Sequence, residues 1–455
     1  MELRTRVPKH EGAGPHREVP VTTTLERLRP YLRTLGITRI ADITGLDRVG
    51  IPVYNAIMPR SQERLSVYNG KGSTPADATA SAVMEAVERF CAWQPTRADA
   101  IGSYADLAAS GRAVMDPAAY NLALEPRYHP DLPICWVEGF DLMEQEPVLV
   151  PQCLAGYYHR FHEIPCYTIT TSNGIASGNT LEEAVCHALA EVLERDDWTM
   201  AELVGDRLRR TIRMKLGAAA PPDADEWLAK RNPGIDLNTL PPSAQRYVEA
   251  FQRAGVRVVL KYVAGDGTVP TIAALTTEDG GGALSAAHGG YGTHPDAEVA
   301  VARALTEVAQ SRAVDIQGMR EDLSQAGDRI ADWDRHAARS ASVDLSAWPY
   351  DESAAPVKFG DLPSSPGDDI AADIAVQLAE LRRRGLRRAI VVDRSLPGLP
   401  VAVARVIVPG AESYGVDRSR LGPRANARWD AELRELIRRR DQGAAGEGRE
   451  RGEER

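Results

Sequence analysis

No run in this sequence approaches the ~18 apolar residues that a bilayer crossing requires. The opening MELRTRVPKHEGAGPHREVP holds no apolar stretch of the secretory kind, so a cytoplasmic location is expected. Paired cysteines are missing too. Cys91, Cys135, Cys153, Cys166 and Cys186 stand far apart with no CxxC among them, which argues against a zinc ribbon or a disulfide scaffold. Each is expected to pack as a small hydrophobe and not to serve as a nucleophile. There is no GxxxxGK[ST] phosphate loop, since the GKG at Gly70–Gly72 lacks the upstream glycine, and no GxSxG, HExxH or dinucleotide fingerprint. Basic residues are outnumbered, 54 Lys and Arg against 64 Asp and Glu for a net charge of −10. That balance excludes general nucleic-acid binding and leaves a basic or apolar peptide open as substrate.

What is present is ordinary for a globular chain: 455 residues, 43% apolar and 26% charged, enough for more than one small core. Residues 1–20 read as a flexible, extended arm. Leu25, Leu28, Tyr31, Leu32 and Leu35 recur at helical spacing behind a TTT capping cluster, predicting a helix over Val21–Leu35. The stretch ITRIADITGLDRVGIPVYNAIMP alternates β-branched residues with turn signals and reads as strands, as do VRVVLKYVA and RRAIVVD. Long helices are predicted around 75–93, 181–203 and 295–315. The Ser-, Asp- and Pro-rich stretch of about 331–369 reads as an inserted loop, followed by a helix near 370–385. Trp429, Leu433, Leu436 and Ile437 mark the apolar stripe of a last helix, and residues 441–455 read as a disordered tail. The pattern predicts an α+β architecture with mixed sheets and not a doubly wound one.

The three long helices carry the same polar mark. SAVMEAVERF bears Glu85, Glu88 and Arg89; HALAEVLERD bears Glu191, Glu194 and Arg195; RALTEVAQSR bears Glu307, Gln310 and Arg312. Positions i and i+3 share a helix face, so each helix shows two oxygen-bearing side chains side by side. Glycine-rich segments precede them: GKGSTP, SNGIASGNT and GGYGTHP. Glycine lets backbone approach a ligand closely, and a helix N-terminus beside it favours an anion. On any single helix, a Glu–Arg pair at this spacing is an ordinary solvated pair worth a few tenths of a kcal/mol. Three recurrences flanked by Ala, Val and Leu point elsewhere, because carboxylates crowded by apolar neighbours are costly without a cation. Several carboxylates and a carboxamide suit Mg²⁺, which takes oxygen ligands and shares them with phosphates. The run HRFHE, with His159, His162 and Glu163, imitates a metal cluster but reads as a surface loop.

The elements GKG-x-TP…SA-x-x-EA-x-ER, SNG-x-ASGNTLEEA…E-x-x-ERD and RALTE-x-x-QSR resemble, in order, those of the YcaO superfamily across residues 20–315. The late segment VARVIVPG (Val403–Gly410) resembles its closing strand. The resemblance implies a YcaO-type catalytic domain over 21–440, with ATP and Mg²⁺ as cofactors. Such enzymes phosphorylate a peptide amide oxygen after a nucleophile has added to the amide carbon. A substrate Cys, Ser or Thr then gives an azoline, a sulfur donor a thioamide, and an amine an amidine. By the same resemblance Glu85, Glu88, Glu191 and Glu194 hold magnesium. Lys71, Ser81, Asn173, Arg195, Glu307, Gln310 and Arg312 lie near the nucleotide, with Lys71 and Arg195 catalytic. The opening HREVPVTTTLERLRPYLRTLGITRIADITGLDRVGIPVYNAI looks like the members that work with a TfuA partner in thioamidation, and also like those acting on methyl-coenzyme M reductase. The PxPxP ending common among azoline formers is replaced by RGEER. A thioamide in a ribosomally made peptide or protein, with a TfuA-like partner, is the expectation. Azoline or amidine formation is the alternative, and a non-catalytic peptide-binding scaffold the alternative of another class. A homodimer is left open.

Overall fold

The computed structural model describes residues 1, 3–10, 16–59, 61, 66–120, 128–157, 171–217, 220–221, 223–263, 266–278, 287–318, 347–417 and 420–453. Cys166, the HRFHE run and residues 331–346 lie outside them. The strands are β1 Arg39–Asp42, β2 Val53–Ile57, β3 Val67–Lys71, β4 Ala100–Gly102, β5 Ile134–Asp141, β6 Glu146–Pro151, β7 Ile175–Gly178, β8 Arg257–Val263, β9 Thr271–Thr277, β10 His288–Thr293, β11 Ile390–Asp393 and β12 Ala402–Ile407. The helices are α1 Val21–Leu28, α2 Pro75–Trp93, α3 Tyr104–Ala109, α4 Leu181–Glu202, α5 Arg209–Lys215, α6 Ala224–Ala229, α7 Pro242–Arg253, α8 Ala297–Gly318, α9 Ile370–Arg383, α10 Tyr414–Asp417 and α11 Pro423–Glu453.

Three sheets result: β1-β2-β3, β10-β9-β8, and β4-β5-β11-β12-β7 with β6 on β5. The fold is α+β. Every pairing between these strands is antiparallel where mixed sheets were expected. Each sheet receives one long helix. Helix α8 lays Val301, Ala304, Leu305 and Val308 on the β8–β10 sheet with Leu260, Ile272 and Ala274. Helix α4 lays Ala188, Leu189, Val192 and Leu193 on β11 and β12 with α9 alongside. Helix α2 covers β2 and β3 with Ala82, Val83, Ala86 and Val87. A Val or Leu so enclosed contributes roughly 1.5–3 kcal/mol. These rows of mostly small residues let the helices sit close to the sheets.

The helix starts follow their caps. Thr74 and Asp77 form a reciprocal capping box with Pro75 at the first position of α2, and Thr180 caps α4 by accepting from the backbone of Glu183. The helix expected over Val21–Leu35 ends early, since Pro30 turns residues 29–31 into a 3₁₀ turn.

Two expectations need correction. The arm is extended but pinned: Val7 is fully buried, Pro8 bridges Asp369, and Arg4 pairs with Glu182 and Lys9 with Asp373. Ionic anchors on two helices, α4 and α9, hold a segment whose own composition marks it as loose. The described part of the loop reading, 347–369, holds only two 3₁₀ turns and is largely exposed, anchored by Trp348 buried against Gly205 and Asp351 buried beside Arg209. The tail continues as helix to Glu453.

Candidate active site

Each marked helix follows a strand that doubles back beneath it: β3 into α2, β7 into α4, β10 into α8. The glycines in those strands serve this contact. A Cβ on Gly70 would stand 2.1 Å from the Ala82 backbone nitrogen, on Gly178 2.5 Å from that of Ala184, and on Gly290 2.2 Å from that of Val308. Helix backbone fills the space that a side chain would need.

Two of these units and the end of β3 converge on one cluster. Lys71, the last residue of β3, places its ammonium 2.5 Å from Glu307 Oε2 on α8, and the Tyr291 N–H of β10 donates to Glu307 Oε1 at 3.3 Å. On α4, Arg195 donates to Glu191 Oε1 at 3.3 Å, and the N–H of Gly174 to Glu191 Oε2 at 3.1 Å. Gly174 holds φ +78°, a left-handed conformation in which glycine is at ease. Glu194 lies within the same field. Burial, with the charges of Glu307 and Glu191, pushes its carboxyl up to about 8 against the pull of Arg195 and Lys71. Burial also acts on Glu307, but the adjacent Lys71 ammonium outweighs it and holds that carboxyl below the usual range.

Three carboxylates therefore share two cations here. Lys71, Glu307, Glu191 and Arg195 keep 22–30% side-chain exposure, so the cluster is open to a ligand. Hard oxygen donors that outnumber their cations, next to an ammonium and a guanidinium, fit Mg²⁺ carrying phosphates.

The remaining expected residues are placed less uniformly. Glu85 and Glu88 on α2 face Arg89 at 3.9 and 3.6 Å, and α2 is tied to β7 by the Ser177 hydroxyl donating to Met84 O. Ser81 lies one turn before Glu85, half-buried. Asn173 is buried just ahead of β7 with its Oδ1 unpartnered among the described residues, an acceptor awaiting a donor. Gln310 is half-buried one turn beyond Glu307. Arg312 does not join the cluster. Five residues past Glu307 it lies about 140° around the helix, where it grips Asp47 at 2.8 and 3.0 Å and also Glu278. Burial pushes the Cys91 and Cys186 thiols up to about 12, in keeping with the packing role expected of them.

Three residues escaped the sequence reading. His187 and Arg303 stand one turn before Glu191 and Glu307, in the place that Ser81 holds before Glu85. Burial and the charges of Arg303, Arg17 and Lys71 keep the His187 imidazole neutral. The shared basic–Ala–Leu–x–Glu spacing of HALAE and RALTE was the available signal. Arg17 had none, because it comes from the arm, where it approaches Glu183 at 3.9 Å.

Comparison with known proteins decides the family. Residues 69–412 match the model of YcaO cyclodehydratase, ATP- and Mg²⁺-binding. The chain belongs to the YcaO family. An uncharacterised Methanothermobacter thermautotrophicus protein is 33% identical over 405 residues, 88% of this chain and 96% of that one. A protein encoded in the tfuA 3′ region of Rhizobium leguminosarum bv. trifolii is 33% identical over 406 residues, 87% of this chain and 88% of its own. Among solved structures, YcaO from Methanopyrus kandleri bound with AMPPCP and Mg²⁺ superposes with a TM-score of 0.64 at 27% identity, covering 92% of this chain and 98% of that one. As a YcaO domain the chain binds ATP and Mg²⁺ and belongs to an ATP-dependent enzyme family. No helix among the described residues is long and apolar enough to cross a membrane.

Proposed function

We propose that this YcaO protein spends ATP to activate a peptide backbone amide and installs a thioamide there, with a TfuA-like protein as partner. The observation that supports ATP chemistry is the gathering of three carboxyl groups, Glu191, Glu194 and Glu307, around only two cations, Lys71 and Arg195. The thioamide branch is supported by the 33% identity with the tfuA-region protein over nearly the whole of both chains.

Mg²⁺ bound with ATP would neutralise phosphate charge and supply the phosphoryl group's electrophilic character. Glu191 and Glu194, with Glu85 and Glu88 from α2, are its holders in this proposal. Lys71, at the end of a rigid strand, and Arg195, fixed by Glu191, direct positive charge to where negative charge develops on the amide and phosphoryl oxygens. Asn173, Ser81 and Gln310 offer neutral polar contacts to the nucleotide. A sulfur nucleophile adds to the amide carbon, and the resulting oxyanion takes the γ-phosphoryl group from ATP, releasing ADP. Loss of phosphate breaks the C–O bond and leaves C=S.

The cyclodehydratase description of the matching family favours a second reading, in which a substrate Cys, Ser or Thr attacks instead and an azoline forms. Intact-mass analysis of a candidate peptide, incubated with the chain, a TfuA-like protein, ATP, Mg²⁺ and sulfide, separates the two. Oxygen-for-sulfur exchange that persists when nearby Cys, Ser and Thr are replaced by Ala supports the thioamide. Loss of one water without added sulfide, abolished by one such replacement, overturns it.

A further inference from the structure

Residues 196 and 197 continue α4 directly from Glu194 and Arg195; Asp196 turns to the far side of the helix, and Asp197 flanks Glu194 one turn on. Both are buried, Asp196 at 1% and Asp197 at 4% exposure. Opposite them stands Arg384, just past the end of α9. Its guanidinium meets Asp196 Oδ2 at 2.9 Å, Asp197 Oδ1 and Oδ2 at 2.6 and 3.2 Å, and Glu380 Oε1 at 2.6 Å. Arg424 of α11 adds contacts to both oxygens of Asp196, and the Glu412 N–H donates to Asp196 Oδ1 at 2.9 Å.

The network continues through Asp197 toward the other half of the site. Thr271 of β9 donates to Asp197 Oδ2 at 2.6 Å, and its hydroxyl meets that of Thr293 on β10 at 2.8 Å. Two residues before Thr293 on the same strand is Tyr291, whose N–H holds Glu307. One chain of bonds thus runs from the turn bearing Glu194 and Arg195 to the strand that orients Glu307. A buried ion cluster is a poor source of net stability, since well-packed apolar residues do as well or better. What it supplies is a fixed rotation of one helix, because several directional bonds must be met together.

We infer that Asp197, Arg384 and Thr271 are positioning residues that set Glu194 against Glu307, so that the carboxylates meet a cation in one geometry. This rests on the ATP-dependent reading above. Among the described residues none of the three bonds a metal-holding side chain; they act through the rotation of α4 and the placing of β9 and β10, and losing direct outer partners of such side chains typically costs tenfold or more in metal affinity.

The test uses the full chain with Thr271→Val, which removes one hydroxyl at nearly constant shape, Arg384→Met, and Arg384→Lys as the conservative variant. Binding of a fluorescent ATP analogue is titrated with Mg²⁺, and thermal unfolding is followed in parallel. Thr271→Val is expected to melt near the wild type while the Mg²⁺ concentration for half-maximal binding rises about tenfold. Analogue affinity at saturating Mg²⁺ should change little, and Arg384→Lys should recover part of what Arg384→Met loses. If Arg384→Met does not fold, Thr271→Val decides alone. An unchanged Mg²⁺ midpoint in Thr271→Val, with the wild type binding normally, overturns the positioning role. A wild type that binds no analogue at any Mg²⁺ concentration overturns the ATP reading itself, and the inference with it.

Discussion

The two faces of α4 treat neighbouring acids in opposite ways. On one, Glu191 and Glu194 share Arg195 and a more distant Lys71 with Glu307, stay partly open to solvent, and leave one carboxyl group without a cation of its own. On the other, Asp196 and Asp197 are shut in and matched by Arg384 and Arg424. A cavity of about 410 Å³ beside this second face is lined by the same charges together with Arg231, Arg383 and Arg428. The density of charge alone would have pointed to that cavity. The balance of charge points to the other cluster: acids already neutralised by arginines are structure, and acids still short of a cation are a site.

The comparison can be broken most forcefully on the open face. Glu191→Gln and Glu194→Gln should each lower ATP turnover about a hundredfold or more. Melting should barely move, since neither change buries a new unpaired charge; wild-type turnover in both would end the metal-holding assignment.

On the closed face the effect should be on stability. Asp196→Asn leaves Arg384 and Arg424 short of a buried partner, and chemical denaturation should show a loss of about 3 kcal/mol. A variant as stable as the wild type would mean that the cluster is already hydrated.

A third test concerns the arm. Burial, opposed in part by Asp373, lowers the His294 imidazole to about 4. Above pH 6.5 it is neutral folded or unfolded. Between about 6.5 and 4 the unfolded chain takes up a proton that the folded one refuses, so stability should fall as pH drops through that window. His294→Gln should flatten the fall, and an identical pH profile for variant and wild type would exclude His294 as its source.

The smallest effect is expected at Glu226 and Lys230, an i, i+4 pair at 2.7 Å like that of Glu191 and Arg195 but out in solvent. Lys230→Gln should change neither turnover nor melting measurably. A clear loss of either would show that spacing alone, and not surroundings, carries the effect.

Much of this was legible in the text of the chain. The three marked helices were expected over 75–93, 181–203 and 295–315 and run Pro75–Trp93, Leu181–Glu202 and Ala297–Gly318. Threonine caps and a first-turn proline are local signals, so the first two starts were readable. The purpose of the glycines was not, because a strand's distance from the helix that follows it is absent from the spelling. Arg312 misled for a related reason: it completes the motif, but helical rotation turns it toward Asp47. Arg17 and Lys9 sat in a segment whose composition looked loose, while their partners are more than 150 residues away.

By itself the sequence determined which acids lie on which helix faces, where those helices begin, and the family to which the chain belongs. These follow from local periodicity and from motifs of about ten residues. Only the tertiary structure decided that Lys71 would answer Glu307, 236 positions later, and that Asp196 would be neutralised while Glu194 was not. Charge pairing depends on separation through space in a medium of low polarity, and that separation exists only once the sheets and helices have packed.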